Sequence, residues 1–161
     1  MSALRHLGPG SRLPDWIEAI DRACFHDVWG PLDECEHIWA LEAVGFARWR
    51  IIPEVGEAEL LRIGVAEGQR RGGHGRRLLR LSEARLARQG VDVLHLEVRV
   101  GNAAARALYE SEGWLYQGLR QGYYRDGESA ALYSRYMAGP GNLAVPGPGS
   151  EQLRPGRNRD R

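Results

Sequence analysis

The sequence predicts an α/β domain built on a mixed sheet. Short apolar runs rich in valine, leucine and isoleucine alternate with amphipathic stretches across residues 58–137, the order expected when helices cover a sheet. Gly90 and Gly113 each follow such a stretch, as left-handed helix stops do. A hydrophobic share of 43% over 161 residues supplies one core and indicates one folded domain.

Taken in order, residues 1–12, with Gly8-Pro9-Gly10, read as a loose start. A helix is expected over 14–25, where Trp16, Ile17, Ile20, Ala23 and Cys24 form an approximate helical stripe. Trp29-Gly30-Pro31-Leu32 reads as a turn into a second short helix. Strands are expected at 37–42 and 44–52, and Pro53-Glu54-Val55-Gly56 separates them from a third at 58–66. A helix follows over about 76–88. Leu78, Leu79, Leu81, Ala84 and Leu86 supply its buried side, while Arg77, Arg80, Glu83, Arg85 and Arg88 face solvent. Next come a strand at 91–98, a helix at 103–112 with Asn102 as N-cap, and strands near 114–120 and 129–137. The domain therefore reads as 12–138. Residues 139–161 are rich in proline, glycine and arginine, lack apolar periodicity and read as a disordered tail.

Composition excludes several classes. A net charge of +1 does not indicate a general nucleic-acid binder; the basic stretch 154–161 is either solvated or an RNA contact. Nothing approaches the roughly 18 uninterrupted apolar residues of a membrane span, and the start lacks a signal-peptide core. Cys24 and Cys35 have no metal-ligand spacing. They read as reduced, buried thiols in a cytoplasmic protein with no metal.

The most informative stretch is 63–79, where an apolar strand enters a loop of arginine and glycine that opens a helix. Gly72, Gly73 and Gly75 allow backbone N–H groups to approach a ligand. The helix start adds unpaired amides and the positive end of its dipole. Arg70, Arg71, Arg76 and Arg77 add charge, and the whole suits a phosphate or pyrophosphate; a purely structural turn fits residues 70–75 equally well. The P-loop pattern is excluded because Arg76 and Arg77, not Lys-Ser/Thr, follow Gly75. The dinucleotide fingerprint is excluded because its third glycine is missing. What remains is Arg70, Gly73 and Gly75 as Arg-x-x-Gly-x-Gly.

That pattern resembles motif A of the GNAT superfamily of N-acetyltransferases, whose loop wraps the pyrophosphate of acetyl-CoA. Leu-Glu-Val-Arg at 96–99, Asn-Ala-Ala-Ala at 102–105 and Ala-Leu-Tyr-Glu-Ser-Glu-Gly-Trp at 107–114 are similar to the signature of the RimI-type N-terminal acetyltransferases. The resemblance covers residues 59–125. It implies a mostly antiparallel sheet of six to seven strands flanked by about four helices, splayed where acetyl-CoA enters. Backbone groups at Ile63, Gly64 and Val65 would contact the acetyl group and the pantetheine arm. The amides and side chains of Arg70, Arg71, Gly72, Gly73, His74, Gly75 and Arg76 would hold the pyrophosphate. Asn102 matches a cofactor-binding asparagine, although capping explains it equally. The resemblance further implies acetyl-CoA as co-substrate and an amine acceptor, either a protein N-terminus (a ribosomal protein in the type members), a lysine side chain or a small amine. A non-catalytic acyl-CoA-binding or ribosome-associated module is the reading from a different class.

Acetyl transfer to an amine requires that the amine lose a proton and that the departing thiolate gain one. Glu97 lies on a strand of Val, Leu and His, where partial burial raises a carboxyl pKa and makes a usable base. It can equally be a carboxylate paired with Arg99 or a neighbouring arginine. The Tyr109 phenol can donate to the leaving sulfur or simply pack on the core. The resemblance assigns Glu97 as general base and Tyr109 as general acid, ahead of His74 and His95. Tyr123 and Tyr124 resemble a pair that grips the acceptor's first residues, or are strand-end aromatics. This chain has Arg120-Gln121-Gly122 before that pair where the family carries Arg-Arg-Asn. An α-amine, with pKa about 8, lies within roughly a unit of deprotonation at neutral pH, whereas a lysine amine costs about 4–5 kcal/mol to neutralise. A single glutamate therefore suits N-termini better. The chain itself contains no lysine.

Overall fold

The computed structural model describes residues 3–25 and 29–137; the expected tail at 139–161 lies outside them. The chain divides into two compact units, residues 1–91 and 92–161.

In the first unit, β1 (Leu4–Leu7), β2 (Glu36–Leu41), β3 (Gly45–Ile52) and β4 (Glu57–Val65) form consecutive antiparallel ladders. Helix α1 (Asp15–Phe25) covers one face. Its Ile17 and Ile20 pack in one core with Ile38, Ala40, Phe46 and Leu7. Helix α2 (His74–Arg88) lies on the opposite face: a Cβ on Gly45 would meet Leu78 Cδ1 at 2.9 Å. Leu78, Leu79 and Leu86 are fully buried along α2. The buried Ser82 hydroxyl donates to the carbonyls of Leu78 and Leu79 at 2.8 and 3.0 Å, so it adds no unsatisfied group.

The second unit contains β5 (Val93–Arg99), α3 (Ala103–Ser111), β6 (Leu115–Arg120) and β7 (Ala130–Tyr136). Here β7 lies between β5 and β6, antiparallel to both. Seven strands and three α-helices among the described residues agree with the expected α/β class, with one helix fewer than anticipated. No helix among them is long and apolar enough to cross a membrane.

Several local expectations change. Residues 4–7 are not a loose start; they pair with Ile38–Leu41 as β1, an element created by its partner rather than by local periodicity. No helix follows Trp29-Gly30-Pro31-Leu32, and Gly30 at φ 73° continues an irregular loop. Helix α2 begins at His74, two residues early, because Gly73 itself is its N-cap. Glu83 is buried and Ala84 exposed; a spacing of four from Leu79 and three from Leu86 puts Glu83 on the inward stripe. Cys35 is exposed and Cys24 half-buried, so neither is a fully buried thiol. Gly90 (φ 86°) and Gly113 (φ 88°) follow α2 and α3 in the left-handed conformation their positions indicated.

Candidate functional site

In the first unit, β4 leads through a short 3-10 turn, Glu67–Gln69, to an extended Arg70. Arg71 (φ 65°) and Gly73 (φ 76°) are both left-handed, and Gly73 opens the 15-residue α2 without any side-chain cap. The first turn contains no acidic residue and includes Arg76 and Arg77. Cations at a helix N-terminus oppose the dipole, by about 0.3–1 kcal/mol each, and its leading amides lack intrahelical partners. An anion seated there relieves both. A Cβ on Gly72 would approach the His74 ring to 3.2 Å, so a side chain there needs that ring to shift slightly. The Nδ1 of His74 is buried without a hydrogen-bond partner among the described residues.

The Arg70 side chain turns back onto the end of β4. Its Nε donates to the Val65 carbonyl at 3.1 Å and its Nη2 to Cys24 Sγ at 3.4 Å. The side chain therefore folds back and staples the loop to the end of β4. Sequence reading had no route to the Cys24 contact, which joins residues 46 positions apart. At the same strand end, a Cβ on Gly64 would meet Phe46, Ile20 and Cys24 at 3.1–3.4 Å. Ile63 and Val65 flank it, half-buried.

In the second unit, β5 buries Leu94, Leu96 and Val98 and turns His95, Glu97 and Arg99 to the opposite, half-exposed face. Glu97 Oε1 lies 3.5 Å from Arg120 Nη1, with side chains 21% and 27% exposed. Its arginine partner is therefore Arg120. Arg99 turns instead to Asp126 and Glu128, at 2.8 and 3.1 Å. His95 Nδ1 lies 2.8 Å from Ser134 Oγ.

Tyr109 is buried on α3, its ring centroid 6.0 Å from Trp114 and 6.4 Å from Tyr133. Burial, then the charge of Tyr124, pushes its phenol pKa up, so it keeps its proton throughout the physiological range. Asn102 Oδ1 accepts from the Ala105 amide at 3.1 Å, the capping bond its sequence position indicated. Tyr123 and Tyr124 meet edge to face at 5.1 Å. Arg120 lies over the first at 5.3 Å and Arg99 over the second at 4.0 Å. Glu128 Oε1 also accepts from the Gly101 amide at 2.9 Å. Neither Asp126 nor Glu128 was singled out by sequence, because a charged turn residue looks the same whether solvated or paired.

Comparison with known proteins shows what the chain is similar to. The chain is 45% identical over 78 residues to the [ribosomal protein bS18]-alanine N-acetyltransferase of Escherichia coli K12, covering 47% of this chain and 53% of that protein. It is 45% identical over 83 residues to the N-alpha-acetyltransferase RimI of Mycobacterium tuberculosis, covering 52% and 51%. The chain thus spans about half the length of the curated relatives it matches. The crystal structure of the ribosomal-protein-S18-alanine N-acetyltransferase from Escherichia coli superimposes with a TM-score of 0.69 at 30% identity, over 90% of this chain and 100% of that one. Ard1 from Thermoplasma volcanium, at 21% identity and a TM-score of 0.69, shares the fold. Matched from residue 5 to residue 114, the chain belongs to the acetyltransferase (GNAT) family.

Proposed function

We propose that this protein is an acetyl-CoA-dependent N-acetyltransferase acting on the N-terminal α-amine of a protein, a ribosomal protein being the acceptor class suggested by its relatives. The observation that carries the donor assignment is the start of α2. A left-handed Arg71–Gly73 turn opens a long helix with no cap, no acid and two arginines in its first turn, an arrangement that wants an anion. The His74 Nδ1, buried and unpartnered among the described residues, is a further polar atom that a bound group can satisfy. The amides of residues 71–76 and the Arg71 and Arg76 side chains would hold the pyrophosphate, with Arg70 bracing the loop.

Transfer is direct. The amine nitrogen attacks the thioester carbonyl carbon, Glu97 accepts the amine proton, the carbon–sulfur bond breaks, and Tyr109 supplies a proton to the departing thiolate. A raised Tyr109 pKa suits a donor that must arrive protonated. Tyr123 and Tyr124, stacked beneath arginines at the β6–β7 connection, would receive the acceptor's first residues. The second reading, transfer to lysine or a small amine, differs only in the acceptor.

An acceptor screen tests this directly. Peptides with free and acetylated N-termini, with and without lysine, are compared with polyamines and aminoglycosides. Acetylation confined to free α-amines is expected. Turnover only on lysine or small amines would move the assignment to the second reading, and no turnover on any amine would favour a binding module.

A further inference from the structure

The two arginines that cover the tyrosine pair are held very differently. Arg99 is fixed by two carboxylates at 2.8 and 3.1 Å, within or near the range of charge-assisted hydrogen bonds. Among the described residues, Arg120 has Glu97 as its one carboxylate contact, at 3.5 Å and partly exposed. A long, solvent-screened contact of that kind is exchangeable.

The ladder register explains how Arg120 reaches Glu97 at all. On β7, Ala130 lies opposite Arg99 on one side and Arg120 on the other, while Leu132 lies between Glu97 and Gly118. Glu97 and Arg120 therefore share a face, two strands apart and diagonal. Ala130, directly beside Arg120 on that face, puts only a methyl group next to the diagonal the guanidinium takes past Leu132. The backbone at both ends is held in ladders, so only the Arg120 side chain needs to move. When it leaves Glu97, the Tyr123 ring, 5.3 Å from the guanidinium carbon, retains it nearby through a cation–π contact.

We propose that Arg120 is a charge filter on the acceptor: its guanidinium holds the place on Glu97 that the acceptor ammonium must take, and once displaced it disfavours acceptors carrying a second cation close to the reacting amine. This rests on the reading of Glu97 as the general base. A singly charged N-terminus replaces the guanidinium charge for charge. A lysine-first peptide or a polyamine instead brings an extra cation against Arg120, held beside Glu97 on the same face. At such separations, like-charge repulsion in a partly exposed site amounts to about tenfold in rate or affinity, and salt screens it. Arg120 acts here as a specificity-determining residue, not as a proton carrier.

The test is a ratio of kcat/KM values for two peptides differing only in their first residue, alanine or lysine, with spermidine as a third acceptor. The unsubstituted protein should favour alanine, and salt raised to about 1 M, where the Debye length is about 3 Å, should compress the preference. R120Q should lower the alanine-to-lysine ratio about tenfold, and R120K should restore it. A ratio unchanged in R120Q, equally lowered in R120K, or insensitive to salt overturns the inference. The salt measurement needs no variant and stands if R120Q folds poorly. Turnover on alanine-first peptide with an unchanged ratio overturns the charge filter alone. Absence of turnover on every acceptor overturns the proposed function and the filter with it, whereas full activity in E97Q overturns Glu97 as the base, and the filter, alone.

Discussion

Arg48 and Arg62 sit directly opposite each other across the β3–β4 ladder, both buried, and each is neutralised by a different carboxylate. Arg62 pairs with Asp21 at 2.9 Å, and Arg48 pairs with Glu36 while donating to the carbonyls of Gly30 and Pro31 at 3.2 and 3.1 Å. Trp29 lies over both guanidinium groups, at 3.7 Å from Arg62 and 5.4 Å from Arg48. Two buried like charges in register are tolerable only with these partners in place. The same contacts fasten the loop after α1 onto the sheet.

Removing one carboxylate should therefore be severe. Asp21→Ala removes the buried carboxylate that faces Arg62 at 2.9 Å and should reduce stability by about 3–5 kcal/mol in urea denaturation. A loss below about 1 kcal/mol would show that the remaining contacts of Arg62, among them the Phe25 and Trp29 rings at 4.4 and 3.7 Å, sustain the cation.

Gly73 tests the donor loop. At φ 76° a β-branched side chain is strained by roughly 1–2 kcal/mol. Gly73→Val should lower the melting temperature by a few degrees and weaken acetyl-CoA binding at least about tenfold by calorimetry. Wild-type affinity in a folded Gly73→Val protein would remove the loop from the donor site.

Glu97→Gln and Tyr109→Phe address the chemistry. Each should reduce kcat about 10²-fold while leaving acetyl-CoA affinity close to that of the parent. Tyr109 also carries a pH signature. Its folded-state pKa is raised above the ordinary 10.0, so the native state retains a proton that the unfolded chain releases. That contribution is fully present below pH 10 and is lost as pH rises through the folded value. Denaturation midpoints measured from about pH 9 to 11 should fall less steeply in Tyr109→Phe.

The first-unit histidines predict the opposite limb. His6 Nε2 and His37 Nδ1 lie 3.0 Å apart, and the rings stack on each other and on Trp39. Burial lowers both pKa values below the ordinary 6.5, with His6 also lowering His37. The unfolded chain then binds more protons in acid, so this contribution is present above pH 6.5 and is lost as pH falls through the folded values. Chemical denaturation at pH 8 and 5 should show a smaller acid-induced loss in His37→Gln than in the parent. An identical loss would assign acid sensitivity elsewhere.

Much of this protein was legible from local sequence, because the signals were themselves local. Helix ends at Gly90 and Gly113 follow from the left-handed preference of glycine, and Asn102 caps α3 because its carbonyl reaches an amide three residues on. Strand β5 was legible as the valine- and leucine-rich run at 91–98, and it forms over Val93–Arg99. The family was legible in the motifs around Arg70-x-x-Gly73-x-Gly75, Glu97 and Tyr109, and the family match over residues 5–114 bears it out. The glycine-rich turn before α2 was legible because left-handed turns and a helix start are properties of a few consecutive residues.

Tertiary structure decided the rest, wherever a side chain's role depends on a partner distant in sequence. Residues 4–7 are a strand only because β2 offers them a ladder. Arg70 faces back to Val65 and Cys24 rather than outward. Glu97 meets Arg120 rather than its near neighbour Arg99, since the order β5–β7–β6 places residue 120 diagonally across β7 from residue 97. A sequence states which charges exist and on which face of a strand each one stands. Which charges neutralise each other is set by strand order and register, and these long-range pairings are stabilised only once the chain has folded.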